Sequence, residues 1–586
     1  MHRTRAVACF AAVLACGSLA AAERPQREDY TRSFQKNVTL TAGQSVRLEH
    51  RNGDIVVRTH ANNELRVNAS IRVSASTQAD ASEFGNQIQI LVEPTATAVS
   101  IRTSYPEWRN DSFLGFGRRN ISYAVNYEIV MPEAAPLQVR NRFGNVTVSN
   151  TKGGVDLGNA HGLLTFRDAQ GGARLENSFG GVEVAQNAGD CSVTNSNSFV
   201  TVTDVKGALN VRNRFGNVKA TRITRAAVIV NSNGMVELTA AAGPSRINNS
   251  FGAVTATDIT GDLTVGNSNG AVEARNVSGA AELSTSFAAI TANDVGRRLT
   301  VSGTNNRVTA LKVGESATVS NTFGTVDLRG VNGDLEIGNG NGKIFVRDVR
   351  GAAILKTSFG DLDASGISGN ATVITNNGAV LLRDCGGAGD VHGSFGRIEI
   401  TSVRRGLKVV AGNSNVTVAD ITGDAYVKTS FGLVKADRIG GSLTVENSNG
   451  GVRASVVKGF ANVRTSFSPV ILDDVSGSID VGNQNGLVEL SGLSGKGSGG
   501  VCNAIVAKTS FGPIRIHLPN DAGYAVSART SFGRITSDLP LTMEGPLGGS
   551  GSSTSVTGKI GGGDCELRLT NGNGDIALLR GAPKPK

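Results

Sequence analysis

Residues 357–392 read T-S-F-G-D-L-D-A-S-G-I-S-G-N-A-T-V-I-T-N-N-G-A-V-L-L-R-D-C-G-G-A-G-D-V-H. The stretch opens on Thr357-Ser358-Phe359-Gly360, and Thr375-Asn376-Asn377-Gly378 follows at its midpoint. The same phenylalanine returns every 36 residues, at Phe143, Phe179, Phe215, Phe251, Phe287, Phe323, Phe359, Phe395, Phe431 and Phe467. Asparagine takes the intervening slots at Asn197, Asn233, Asn269, Asn305, Asn341, Asn377, Asn413, Asn449 and Asn485, with His161 in the first of them. A fixed period without insertions over several hundred residues is the mark of a solenoid, in which each repeat packs on its neighbours.

Counting from the Phe or Asn as position zero, positions three and five are apolar in every half-repeat, as at Val146 and Val148 or Val488 and Leu490. Positions eight, twelve and fourteen are nearly always apolar, and position ten is usually Gly. A spacing of two puts apolar side chains on one face of a strand. Each half-repeat therefore reads as two short strands, for example 433–437 and 442–446, separated by Gly-bearing turns. Apolar spacings of three and four are missing and Gly is frequent, which excludes helix. Hairpins tolerate varied loop lengths, whereas a parallel coil demands that each residue lie over its counterpart about 4.8 Å away. The expected fold is all-β: a single-stranded parallel β-solenoid, its interior filled by ladders of Val, Ile, Leu, Ala and Phe. Right-handed winding is the usual choice for parallel crossovers.

Two coil lengths fit the pattern. A 36-residue coil of two 18-residue halves stacks Phe on Phe and Asn on Asn, as ladders that stabilise one another. Position twelve also alternates, from Leu263, Leu299 and Leu335 to Ala281, Ala317 and Ala353. This favours the longer coil; an 18-residue coil with large-over-small interlocking is the alternative. Phe143, Phe179, Phe215, Phe251, Phe287, Phe323, Phe359, Phe395, Phe431 and Phe467 are then one structural ladder, and Asn233, Asn269, Asn341, Asn377, Asn449 and Asn485 another.

With 75 Gly among 586 residues, 13 Pro, 5% aromatics and 39% apolar residues, the chain suits a thin continuous core that grows in one dimension. The net charge is +9, but acidic and basic residues interleave on outward positions, which argues against nucleic-acid binding.

Residues 1–22 read as a secretory leader, with Arg3 and Arg5 before an apolar run and Ala20-Ala21-Ala22 as cleavage site. The run is too short to span a bilayer. Leu14-Ala15-Cys16 followed by Gly17 also suits a lipoprotein signal, so membrane contact would come only through a lipid on Cys16. Residues 23–136 depart from the repeat. Strands are expected at 38–40, 46–48, 55–57, 65–67 and 125–131 and a short helix at 79–87, together forming an N-terminal β cap over an aggregation-prone open end. The regular solenoid spans 137–495, and 496–586 form irregular C-terminal turns and a cap. Cys191 and Cys385 fall on inward positions as buried apolar groups. Cys502 and Cys565 are free to pair in an exported chain.

Asn52-Gly53-Asp54-Ile55, the N-S-x-G-x-V units and the ending Asn573-Gly574-Asp575-Ile576 resemble the bacterial putative adhesin family. That resemblance covers most of the chain after the leader. It implies an exported or cell-envelope β-helical protein and supplies no catalytic residues. The many near-identical repeats and the Phe column depart from the family's usual pattern.

The candidate sites are few. Asp recurs at position seven, from Asp168 to Asp474, where turn chemistry is the ordinary reading and a cation between coils the other. Tyr105, Trp108, Arg109, Phe113, Phe116, Arg118 and Arg119 make the most aromatic stretch and suit a sugar ring or a protein contact. No catalytic constellation, cofactor motif or metal-ligand spacing is evident. The expected function is an exported, non-enzymatic structural or adhesive solenoid presenting a repetitive surface to a protein or glycan. A carbohydrate- or envelope-binding module using the aromatic loop is the alternative, and a polysaccharide-active β-helix enzyme a remote one.

Overall fold

The structure, a computed structural model, describes residues 27–106, 121–494, 500, 502–544 and 553–581. The leader and Cys16 lie outside these residues. The chain divides into two compact units, 1–177 and 178–586.

In the second unit the chain winds as a parallel β-solenoid in which each half-repeat makes one complete coil. Val236 pairs with Val254, and Val254 with Val272, in one sheet. Ala227 pairs with Ser245, and Ser245 with Leu263, in the other. The expected 36-residue coil is therefore wrong: the sequence repeats only after two windings. The reason lies in the interior. Leu299 lies between Ala281 and Ala317, and Leu335 between Ala317 and Ala353, so large side chains interlock with small ones from coil to coil.

Each coil contributes a six-residue strand to the first sheet and usually a seven-residue strand to the second, such as Leu362–Ile367 and Ala371–Asn377. Val, Ile, Leu and Ala from positions three, five, eight, twelve and fourteen are buried throughout. Positions five and eight differ by an odd number, so regular strand alternation cannot bury both. Position seven resolves this by adopting the left-handed conformation throughout the regular repeats, including Asp204 (φ 58), Asp258 (φ 58), Asp348 (φ 58) and Asp420 (φ 57). Asp, Asn and Gly tolerate that region best, which accounts for the recurrent Asp. With one coil to each half-repeat, Ser402 separates Asp384 from Asp420 and the two carboxylates do not stack.

The first unit holds the N-terminal cap. Strand Glu28–Thr39 pairs antiparallel with Glu64–Ala75, which pairs antiparallel with Ser122–Pro132. Helix Gln78–Gln87 begins at Thr77, whose hydroxyl accepts from the Asp80 amide at 3.2 Å. The coil made of Ser45–Glu49 and Ile55–His60 does not stack in chain order. Ser45–Glu49 lies between Ala98–Ser104 and Leu137–Phe143, and Ile55–His60 between Ser122–Pro132 and Val146–Ser149.

The end of the second unit repeats that device. Cys565–Asn573 slots between Ile505–Phe511 and Tyr524–Phe532, and Ile576–Arg580 between Ile514–Leu518 and Ile535–Ser537. Strand Thr554–Ile560 then closes the open edge antiparallel to Tyr524–Phe532. Cys502 and Cys565 form a disulfide with Cα atoms 5.1 Å apart. Cys191 and Cys385 are free and buried; burial pushes the Cys191 thiol up to about 12.

Candidate functional site

Position zero usually ends the second-sheet strand, at the corner where the chain turns into the first sheet; before Phe431 and Asn449 the strand stops two residues earlier. Parity with positions twelve and fourteen would point it inward, but at this corner it stands partly open to solvent. In the second unit the phenylalanines are open to solvent: Phe215 is 43% exposed, Phe359 56% and Phe532 61%, with Phe179, Phe251, Phe287, Phe323, Phe395, Phe431, Phe467 and Phe511 between or near these values. Phe143 in the first unit is 37% exposed. The expectation that these rings fill the interior is therefore corrected.

Neither do they stack on one another. Phe215 lies between Asn197 and Asn233, Phe251 between Asn233 and Asn269, Phe323 between Asn305 and Asn341, and Phe359 between Asn341 and Asn377. Phe467 pairs with Asn485 in the same way, and Asn449 stands one coil before it. The result is one mixed column of alternating Phe and Asn. The first unit carries a short row of the same kind: Asn52 bridges to Phe143, and Phe143 stacks on His161 with centroids 4.8 Å apart and ring planes 12° from parallel. Arg142 lies 5.3 Å from the Phe143 ring centroid and Arg214 5.4 Å from that of Phe215.

The C-terminal coils carry the most informative part of the column. In sequence the spacing lapses after Phe467, to Phe511 and Phe532. In space the alternation continues unbroken: Asn485 pairs with Phe511, Phe511 with Asn573, and Asn573 with Phe532. The chain reorders its strands and still places an Asn between two Phe.

A second row, two residues earlier, holds this corner. Asn195, Asn213, Asn231, Asn249, Asn267, Asn321, Asn339, Asn447, Asn483 and Asn571 are buried. Asn249 Nδ2 donates to the carbonyls of Gly234, Phe251 and Gly252 at 3.1, 3.0 and 3.0 Å. Asn267, Asn339 and Asn571 donate to Gly252, Gly324 and Gly512 at 2.8, 2.8 and 2.9 Å. Where the row carries Thr, at Thr285, Thr465 and Thr530, the hydroxyl reaches the carbonyls of Gly270, Gly450 and Gly574 at 3.1, 2.8 and 2.9 Å. This is the buried amide row of the solenoid. The predicted ladder residues Asn233, Asn269, Asn341, Asn377, Asn449 and Asn485 are instead half-buried or exposed. In N-S-N-G units the first Asn, not the second, points inward; its even spacing from positions twelve and fourteen was the available signal.

Glycine after the Phe or Asn suits the turn in most coils, although Ala288 and Ser468 take the same place at φ 135 and φ 89. Gly234 has φ +139, and a Cβ there would lie 2.2 Å from the carbonyl oxygen of Gly216 in the preceding coil. Adjacent coils also neutralise one another at position seven. Asp204 pairs with Arg222 and Asp420 with Arg438, and the guanidinium beside each Asp holds its carboxyl below the usual carboxylate range. Asn276 donates to Asp258 at 2.8 Å. Among the described residues no group of His, Cys, Asp and Glu is arranged to hold a metal ion.

Of the predicted aromatic site, Tyr105 belongs to a packed cluster in the cap. Its hydroxyl is 3.4 Å from His50 Nδ1, its ring is 5.1 Å from that of Tyr123, and burial pushes the phenol above its ordinary range. Burial also raises Tyr127 to about 12 and lowers His50 to about 4. Trp108, Arg109, Phe113, Phe116, Arg118 and Arg119 lie outside the described residues.

No family model and no curated protein matches the chain. Among solved structures, one described as a putative cell adhesion protein from Clostridium sporogenes is similar at 12% identity and a TM-score of 0.17, covering 42% of this chain and 99% of that one. At that score the likeness carries no argument about this chain. No helix among the described residues is long and apolar enough to cross a membrane.

Proposed function

We propose that the chain is an exported cell-envelope solenoid of the bacterial putative adhesin type, with an adhesive or structural role and no catalytic one. The observation that carries this reading is the exposed Phe–Asn column. Soluble monomers rarely expose long apolar rows, and such rows mark contact surfaces. Retention of the alternation through the reordered C-terminal coils supports selection for the surface itself, since packing alone does not require it. Export is supported by the apolar leader at 1–22 and by the Cys502–Cys565 disulfide, a bond suited to oxidising compartments.

The test is adhesion of cells or beads displaying the chain, compared with a variant carrying Phe287→Asn, Phe323→Asn, Phe359→Asn and Phe395→Asn together. Asn occupies the same slot in alternate coils, so the solenoid tolerates the change. Loss of adhesion supports the reading, and undiminished adhesion overturns the role of the column. If adhesion instead depends on a glycan and disappears with Trp108→Ala, the carbohydrate-binding alternative takes its place.

A further inference from the structure

The column poses a physical question that adhesion alone does not answer: why the rings stand on alternate coils instead of on every one. Coils are about 4.8 Å apart, so successive rings are about 9.6 Å apart, with an Asn between them. That gap admits one further aromatic ring. A ring inserted midway would lie about 4.8 Å along the axis from each neighbour, within the 4.5–7 Å range of favourable aromatic pairs. Phe on every coil would leave no such gap. The alternation therefore builds a row of sockets as well as a row of knobs.

We propose that the occupant of these sockets is a second copy of this chain, lying antiparallel, each ring seated between two rings of its mate and over the mate's Asn. The inference rests on the reading of the column as a contact surface. Three observations favour a second copy. A copy shares this column's period by construction and stays in step along its whole length. An extended strand repeats every ~6.6 Å and falls out of step at once. A polyproline helix advances ~9.3 Å per turn and slips by about a third of an ångström at each ring. Second, a twofold axis perpendicular to the column closes the pair and lets it settle with the rings offset by half a period. A twofold parallel to the column would set ring against ring. Third, the area suffices. The rings from Phe215 to Phe532 are 43–61% exposed. Taking roughly half of ~200 Å² for each, the column offers about 1,000 Å² per copy, or about 2,000 Å² in a pair, at the scale of standard specific interfaces.

The experiment is sedimentation velocity on the full chain without its leader, over about three decades of concentration around the micromolar range. Wild type is expected to dimerise. The variant with Phe287→Asn, Phe323→Asn, Phe359→Asn and Phe395→Asn is expected to weaken the dimer by at least about a hundredfold, since buried aromatic anchors dominate such interfaces. A second variant fills the sockets with Asn305→Phe, Asn341→Phe and Asn377→Phe. It adds apolar surface, so mere stickiness predicts tighter association, whereas interdigitation predicts loss of the dimer. Circular dichroism confirms that each variant folds. A wild type that stays monomeric, or a socket-filled variant that associates more tightly, overturns the proposal. If wild type is monomeric yet adhesion is lost in the Phe→Asn variant, the self-association falls while the adhesive reading stands. Binding of a proline-rich peptide by monomeric wild type would identify the rival occupant and equally overturn it.

Discussion

Replacing Asn249 with Ala tests whether the buried amide row holds the corner that presents the rings. Its Nδ2 group reaches three carbonyls, those of Gly234, Phe251 and Gly252, at 3.0–3.1 Å. An amide has two hydrogens, so this amounts to about two neutral hydrogen bonds, each contributing about 1 kcal/mol net. Truncation to Ala adds about 1 kcal/mol for the lost packing volume. One term opposes these: the buried Oδ1 of Asn249 accepts no hydrogen bond among the described residues, and removing it returns about 1 kcal/mol. The net destabilisation is about 2 kcal/mol. In a solenoid the loss stays near the altered coil, so a global melting curve is a poor reporter. Hydrogen exchange followed by mass spectrometry is the suitable assay. Peptides spanning 245–255 should lose about thirtyfold in protection, at about 1.4 kcal/mol per tenfold. Asn249→Thr, which reproduces the side chain found at Thr285, should lose about half as much in free energy. Asn269→Ala, at an exposed position of the outer column, should change protection by less than about 0.5 kcal/mol. Equal effects of Asn249→Ala and Asn269→Ala would refute the assignment of the inner and outer rows.

Other consequences follow from the same coil. Val456 holds the left-handed position seven at φ 54, a conformation unfavourable for a β-branched residue, so Val456→Asn should stabilise its coil by about 1 kcal/mol, read as increased hydrogen-exchange protection of peptides around 452–457. The Cys502–Cys565 bond spans 63 residues, and chain entropy gives it about 4 kcal/mol; Cys502→Ser should expose the inserted strand Cys565–Asn573 to exchange and proteolysis. His50 is buried and its folded pKa, about 4, lies below its ordinary 6.5. Its contribution is complete above pH 6.5 and is lost as pH falls towards 4, about 3 kcal/mol in all; denaturant midpoints at pH 7 and pH 4.5 should differ less for His50→Asn than for wild type.

The period, the strand faces and the interior ladders were legible because each rests on side-chain parity within a strand. Val236 and Leu238 could be placed inward by parity alone, without knowing what lay above them; Ala241 is inward because Ala240 before it turns left-handed at φ 57. The coil length was not legible in the same way, because a sequence period of 36 describes both one long winding and two short ones that interlock. Leu299 between two Ala residues is as good a packing solution as Leu over Leu. The Phe column was misplaced for a different reason. Parity at Phe251 points towards the core, but the strand ends there, and the following glycine turns the chain away. Hydrophobicity at a strand end says nothing about cover. The Asn rows were exchanged for want of the same parity count at the first Asn of each N-S-N-G unit. Insertion of the Asn52-Gly53-Asp54-Ile55 and Asn573-Gly574-Asp575-Ile576 coils out of chain order has no local sequence signal, since only the pairing partners reveal it. Both coils nonetheless supply the Asn that flanks a terminal Phe. Of the aromatic loop, only Tyr105 could be placed, and it serves the cap's interior.

The central claim is that the chain completes one winding with every half-repeat, which sets rings and sockets alternately along one edge. Engineered cysteine pairs measure this directly. Ser302 and Ser320 are register partners in adjacent coils, and Ser320 is in turn the partner of Gly338. Cα atoms about 4.8 Å apart lie within reach of a disulfide, whereas about 9.6 Å does not. Ser302→Cys with Ser320→Cys should cross-link on mild oxidation, and Ser302→Cys with Gly338→Cys should not. Cross-linking of the second pair and not the first would contradict the account.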